Sequence, residues 1–183
     1  MSAPRFEFLV KTPYNFPKGV RMIDNLIGKI VGIAMGYGIT IDGWHPMIAH
    51  FAVSLPVVAA LFWLFGGAKN LSFKSAASTL FFLGLLAILA TFVTGRAIGT
   101  DASIILSPDG KETFERHVTL GNALALFYLL LGVLIPVVLF LKRKPLAYFV
   151  AILMLVGAIT LLYQARIGEI LVYSHGAGVS IPQ

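Results

Sequence analysis

Four long apolar runs, separated by short polar links, occupy most of the chain after residue 45. They extend over residues 46–65, 76–95, 118–141 and 146–173. A helix needs about 20 residues to cross the hydrocarbon core of a bilayer, so each run predicts one transmembrane helix. The pattern therefore predicts an all-α integral membrane protein with a four-transmembrane-helix bundle over residues 45–183.

The composition supports this class of protein. Hydrophobic residues make up 58% of the chain and charged residues 12%, and the mean hydropathy is +0.89. Soluble domains carry about 25% charged residues, so we expect a lipid bilayer, rather than water, around much of this surface. The net charge of +6 does not indicate nucleic acid binding, because the Lys and Arg residues lie mainly in the links, where they set membrane topology.

The charges in the links predict an orientation. The first and third links carry basic residues and no acidic ones, whereas the second link, residues 96–116, carries both, and the tail after Tyr173 has no Lys or Arg. Short links rich in Lys and Arg stay in the cytoplasm. We therefore expect links one and three inside, and the second link and the tail outside.

Residues 1–44 differ from the rest and predict an amino-terminal arm followed by a short apolar helix. The segment 25–41 is shorter than a typical span, which favours a helix lying in the membrane interface over a fifth spanning helix. Its glycines recur at every fourth position, at Gly28, Gly32 and Gly36. Because such spacing lets helices approach closely, we expect these glycines to contact a partner subunit or a second copy.

Four histidines are the candidate metal or heme ligands of this chain. The sequence has no cysteine, so a thiolate site or a covalently attached heme is not expected. By the predicted topology, His45, His50, His117 and His175 all lie towards the outer face. Imidazole is a common ligand of metal ions and of heme iron. Four such groups on one face predict one or two noncovalent heme b sites, or a site for a copper, zinc or iron ion. Taken singly, each could instead be a helix cap, a rim residue or a solvated tail residue.

Helix geometry suggests a pairing for these histidines. His45 and His50 are separated by about 140° around a helix, so they point in different directions. Since His50 and His117 belong to different helices, we expect them to hold a membrane-embedded heme, and His45 and His175 to form a second, more exposed site.

Three arginines lie at the same boundary, where guanidinium groups could pair with heme propionates. They are Arg96, Arg116 and Arg166. Anchoring in the membrane interface explains them equally well, and Arg166 is also placed to pair with Glu169 three residues on. Glycines within the spans could admit a flat macrocycle or simply serve helix packing; they are Gly84, Gly121, Gly132 and Gly157.

Three segments of the chain resemble a widespread bacterial family of small membrane proteins catalogued only as a domain of unknown function. They are HPMIAHFAVSLP, RHVTLGNAL and GEILVYSHGAGV, within residues 43–180. The resemblance implies a four-span fold in a bacterial inner membrane and groups the four histidines as motif residues, but it implies no activity. The long amino-terminal arm and Ser174 depart from the family pattern.

These observations favour a b-type cytochrome subunit that passes electrons between an outer-face redox partner and quinone or another membrane protein. Such a subunit is more consistent with the sequence than a stand-alone enzyme, since no HExxH motif or carboxylate dyad is present. Two alternatives stay open. One is a histidine-based metal-binding membrane protein, and the other is a colourless structural subunit of a larger membrane complex.

Overall fold

The computed structural model describes residues 28–29, 32–33, 44–67, 70–104 and 106–177. The amino-terminal arm predicted for residues 1–44 lies outside these ranges except at 28–29, 32–33 and 44, which are helical. Gly36 is also outside them. The prediction of an interfacial or fifth spanning helix therefore stays a prediction.

Four long helices make up the described chain. Helix α1 comprises Trp44–Phe62 and continues as a π-helical turn over Trp63–Gly67. Helix α2 comprises Leu71–Ile104, α3 Pro108–Leu141 and α4 Lys144–Tyr173. All four are long and apolar enough to cross a membrane, which confirms the predicted all-α fold and makes this a multi-pass membrane protein.

The second link is shorter than the sequence pattern predicted. Residues 96–104 continue α2 and residues 108–116 begin α3, so only residues 105–107 connect the two helices. Ser107 caps α3 by accepting a hydrogen bond from the Gly110 N–H at 3.2 Å, and Pro108 follows as a first-turn residue. A 34-residue helix is about 51 Å long, so α2 and α3 both extend well beyond a hydrocarbon core of about 30 Å.

The helices form an antiparallel bundle with a definite order. Helix α1 packs on α2 and α4, and α3 packs on the same two helices. Consequently α1 and α3 are diagonal to each other, as are α2 and α4. We call the end that contains His45 and His117 the histidine end, and the end that contains Lys74 and Lys142 the lysine end.

The bundle core combines small residues with a few large ones. Trp63, Phe81 and Tyr128 are almost completely buried, and the Trp63 indole N–H donates to the Ala147 carbonyl at 3.1 Å. Large apolar side chains on the outer surface, such as Phe140 at 85% exposure, would contact lipid. Because both the core and the outer surface are apolar, the fold requires a membrane around it.

The glycines considered for a macrocycle lie against protein side chains instead. A Cβ on Gly84 would lie 2.7 Å from the ring of Pro56, and one on Gly157 would lie 2.9 Å from the hydroxyl of Tyr128. Gly132 faces Leu85, and Gly121 faces Gln164. Their role in this structure is close helix packing, which was the alternative left open by the sequence.

Candidate functional site

His45 lies in the second position of α1 and reaches across to α2. Its Nδ1 lies 3.0 Å from the Thr91 carbonyl oxygen and 3.1 Å from the Thr94 hydroxyl. Since a carbonyl only accepts and the Thr94 hydroxyl donates to the Ala90 carbonyl, the Nδ1–H of His45 is the donor. In the neutral ring Nε2 is therefore the unprotonated nitrogen. The cap role considered for His45 is wrong, because α1 begins one residue earlier, at Trp44.

A glycine of α2 makes room for this imidazole. A Cβ on Gly95 would lie 2.7 Å from Cε1 of His45 and 3.1 Å from Nδ1. Real side chains do not approach so closely, so only glycine fits beside the ring in this position. The His45 ring is thus held by two hydrogen bonds and by the surface of α2.

His117 is held in a similar way by α4. The Gln164 side-chain amide nitrogen donates to the His117 carbonyl at 2.9 Å and to His117 Nδ1 at 3.2 Å. Reversing the amide would place Oε1 beside that carbonyl oxygen, so the nitrogen belongs there. Nδ1 of His117 is therefore an acceptor, and its Nε2 carries the proton. Gly168 lies beside the ring, where a Cβ would be 3.2 Å from Cε1.

His45 and His117 lie on diagonally opposed helices. Both are half-buried near the histidine end of the bundle. The sequence-based hypothesis paired His117 with His50. In the structure His50 is exposed, whereas His45 is half-buried like His117. In the tautomers described above, one ring presents an unprotonated Nε2 and the other an Nε2–H.

The other two helices contribute further polar groups at this level. Arg96 of α2 is half-buried, donates to the Asn122 side-chain oxygen at 3.0 Å and lies over the Phe92 ring. Gln164 Oε1 is buried and accepts no hydrogen bond from the described residues. Each of the four helices thus places at least one polar side chain in this cluster, in an otherwise apolar bundle.

The remaining two histidines lie elsewhere. His50 is exposed, and its Nδ1–H donates to the Pro46 carbonyl of its own helix at 2.7 Å. His175 follows the end of α4, as expected, and packs against Gly110 near the start of α3, with Nε2 at 3.5 Å from the Thr113 hydroxyl. The structure therefore does not bring His45 and His175 together as a second pair through any contact that it shows.

Two of the three candidate arginines are surface residues. Arg116 pairs with Glu112 at 2.5 Å, and Arg166 pairs with Glu169 at 2.5 Å, each on its own helix. All four side chains of these pairs are largely exposed. The predicted Arg166–Glu169 pair is confirmed, and of the three arginines only Arg96 lies in the histidine cluster.

The described part of the chain contains no group of three or more side chains of the His, Cys, Asp or Glu type that could hold a metal ion. A ligand set for a zinc or copper ion normally needs at least three protein groups. Heme iron takes one or two axial protein ligands. The pair His45 and His117 supplies two imidazoles, a number that suits axial ligation of heme better than a site with three or four protein ligands.

Sequence reasoning missed the residues that hold the imidazoles. Thr91 and Thr94 are the acceptors for His45, Asn122 binds Arg96, and Gln164 binds His117. The sequence does carry a signal for these residues: a polar side chain within an apolar span is costly in lipid and therefore marks a specific contact.

No family model, curated protein or solved structure matches this chain.

Proposed function

We propose that this protein is a membrane electron-transfer subunit in which His45 and His117 coordinate a noncovalent heme b between diagonal helices. The observation that carries the proposal is the placement of two half-buried imidazoles, on the diagonal helices α1 and α3, near the same end of a four-helix bundle. Cofactor sites in helical bundles are built in this way, from side chains that face one another across the core.

The hydrogen bonds of His45 suit a heme ligand. Its Nδ1–H donates to a backbone carbonyl, which leaves Nε2 unprotonated and available to a metal. Metal-binding histidines usually donate a hydrogen bond from the ring nitrogen that does not bind the metal. This bond fixes the ring orientation and increases the basicity of the ligating nitrogen. Thr91 and Thr94 are accordingly positioning groups for His45.

His117 needs one adjustment to serve as the second ligand. Coordination through Nε2 requires its proton to move to Nδ1, which then needs an acceptor. Turning the Gln164 amide would present Oε1 to Nδ1–H, and Oε1 is the buried oxygen that accepts no hydrogen bond from the described chain. The cost is the hydrogen bond from the amide nitrogen to the His117 carbonyl.

The surroundings supply what an anionic macrocycle needs. Arg96 lies half-buried within the cluster and could bind a propionate. In the structure the His45 ring packs against Gly95 and the His117 ring against Gly168, so a heme held by both rings would have to fit beside these contacts or displace them. The proposed heme count is one, since His50 and His175 do not join this cluster.

The proposed setting follows from the charges in the links. The histidine end faces the outside of a bacterial inner membrane, and the heme exchanges electrons there with a redox partner protein or a larger complex, and with quinone or another membrane protein.

Absorbance spectroscopy of the full chain, produced with ample heme and purified in detergent, tests the proposal. We expect a sharp Soret band and a resolved α band on reduction, as bis-histidine heme b gives. His45→Asn is the informative variant, because the Asn amide replaces Nδ1–H as a donor to Thr91 but offers nothing in place of Nε2. This variant should stay folded and lose the heme signal.

Matched controls use the two histidines outside the cluster. His50→Asn and His175→Asn should keep the full heme content. A folded wild-type protein without iron or visible absorbance would refute the heme proposal and favour the structural-subunit alternative. Equal heme content in the His45→Asn variant and the wild type would refute this ligand pair.

A further inference from the structure

The lysine end of the bundle carries a cleft lined by basic side chains. Lys74 comes from the start of α2, and Lys142, Arg143 and Lys144 come from the turn between α3 and α4; Ala147 completes the lining. The three residues of the turn are exposed. Two sequence segments that are far apart in the chain therefore place four cations around one small cavity.

The helices offer these cations no carboxylate. The sequence contains no Asp or Glu from residue 43 to 100 or from 116 to 168, and the exposed ion pairs of Arg116 and Arg166 both lie towards the opposite end. Like charges around one cavity repel one another, so an anion bound between them would lower the electrostatic energy.

The backbone of the turn has an unusual conformation at Lys142. Lys142 has φ 51° and ψ 23°, and it is the one non-glycine residue in the described chain with a positive φ. Glycine is the usual residue at this position after a helix, since a side chain there costs free energy. Lys142 thus places a cation in the cleft in a conformation that costs backbone free energy.

The start of α4 adds a second attraction for anions. Its N-cap residue, Arg143, makes no side-chain hydrogen bond to the first-turn N–H groups. Such groups, together with the helix dipole, favour a negative group at a helix amino terminus. The first turn of α4 begins at Lys144 and includes Ala147, and both of these residues line the cleft.

We propose that this cleft binds the phosphate group of an anionic phospholipid. The observations specify phosphate chemistry, which a free phosphate ion shares. The position of the cleft at the end of the spanning helices favours the lipid, whose headgroup lies at that depth and whose acyl chains can follow the apolar helix surfaces. The proposal is independent of heme binding.

The test measures lipid binding to the full chain in nonionic detergent by native mass spectrometry. Phosphatidylglycerol, phosphatidylcholine and inorganic phosphate are titrated separately. Each cation near an anionic headgroup is worth about fivefold in affinity. The triple variant Lys142→Gln, Arg143→Gln, Lys144→Gln should therefore bind phosphatidylglycerol on the order of 100-fold more weakly than the wild type.

Two further variants make the result specific. Lys111→Gln removes one positive charge from an exposed residue at the histidine end and should leave phosphatidylglycerol binding unchanged. Lys142→Gly removes one cation of the cleft without disturbing the turn, so a well-folded protein should show about fivefold weaker binding.

Unchanged phosphatidylglycerol binding in both the triple variant and Lys142→Gly would overturn the proposal. Equal affinities for phosphatidylglycerol and phosphatidylcholine would also overturn it, since the second lipid carries no net charge. Inorganic phosphate that binds as tightly as phosphatidylglycerol would overturn the assignment to a lipid.

Discussion

Replacing Gly95 by Ala tests whether the His45 imidazole is held where the structure places it. The added Cβ would lie 2.7 Å from Cε1 and 3.1 Å from Nδ1 of His45. The ring cannot move away and also keep its hydrogen bonds to Thr91 and Thr94, at 3.0 Å and 3.1 Å. The substitution should therefore break both bonds.

The expected magnitude combines two opposing effects. The two contacts share the single Nδ1–H proton of His45, and leaving this half-buried donor without an acceptor costs about 2 kcal/mol. Alanine is better than glycine within a helix by about 1 kcal/mol, which offsets part of the loss. We expect Gly95→Ala to lower the free energy of unfolding by about 1 kcal/mol and to reduce the heme content, because Nε2 of His45 no longer has the same direction.

Unfolding of the purified chain in mixed SDS micelles measures the free energy of unfolding. Alanine substitutions at two other glycines serve as controls. Gly28→Ala introduces a Cβ with nothing within 4 Å, so the helix gain should stand alone and stability should not fall. Gly168→Ala places a Cβ 3.2 Å from Cε1 of His117, which a small shift of the ring relieves, and an intermediate effect is expected. A Gly95→Ala protein as stable as Gly28→Ala, with unchanged heme content, would refute the placement of His45.

The remaining predictions concern the lysine end, the core and the topology. Lys142→Gly should raise the free energy of unfolding by about 0.5–1 kcal/mol, because it removes the cost of a left-handed lysine while adding some chain entropy to the unfolded state; a loss in the same SDS assay would contradict this. Trp63→Phe should lower it by about 1–2 kcal/mol, through loss of the indole hydrogen bond to the Ala147 carbonyl and of buried contact area. Cysteines introduced singly into this cysteine-free chain should be labelled from outside the cell at Lys111→Cys and only after permeabilisation at Arg143→Cys; the reverse pattern would overturn the orientation.

The sequence was sufficient to predict the spans because membrane insertion depends on the summed hydrophobicity of about 20 residues. It was less informative about helix ends. Residues 96–104 and 108–116 are polar enough to resemble a link, yet they are helical. The pair Ser107-Pro108 is a capping signal that marks the start of α3 within this polar segment.

The sequence does not reveal which side of each helix faces the inside of the bundle. In a soluble protein the apolar side of a helix faces the core, but here the lipid-facing side is apolar as well, so hydrophobic periodicity does not reveal the rotation of α1. Close contacts such as Pro56 against Gly84 fix that rotation, and they directed His45, not His50, into the bundle. The angular separation of these two histidines was predictable, whereas the choice between them was not.

Three histidines at the histidine end pack against glycines, and this packing does not depend on a cofactor. His45 lies against Gly95, His117 against Gly168 and His175 against Gly110, and each contact joins two neighbouring antiparallel helices or the end of α4 to α3. The hydrogen bonds of His45 and His117 use Nδ1, and no hydrogen bond that the structure shows uses Nε2 of either ring. A purely structural role would therefore be complete without Nε2, and a ligand role would depend on it. The substitution of His45 by Asn separates these roles within one side chain, because it keeps the structural atom and removes the ligating one.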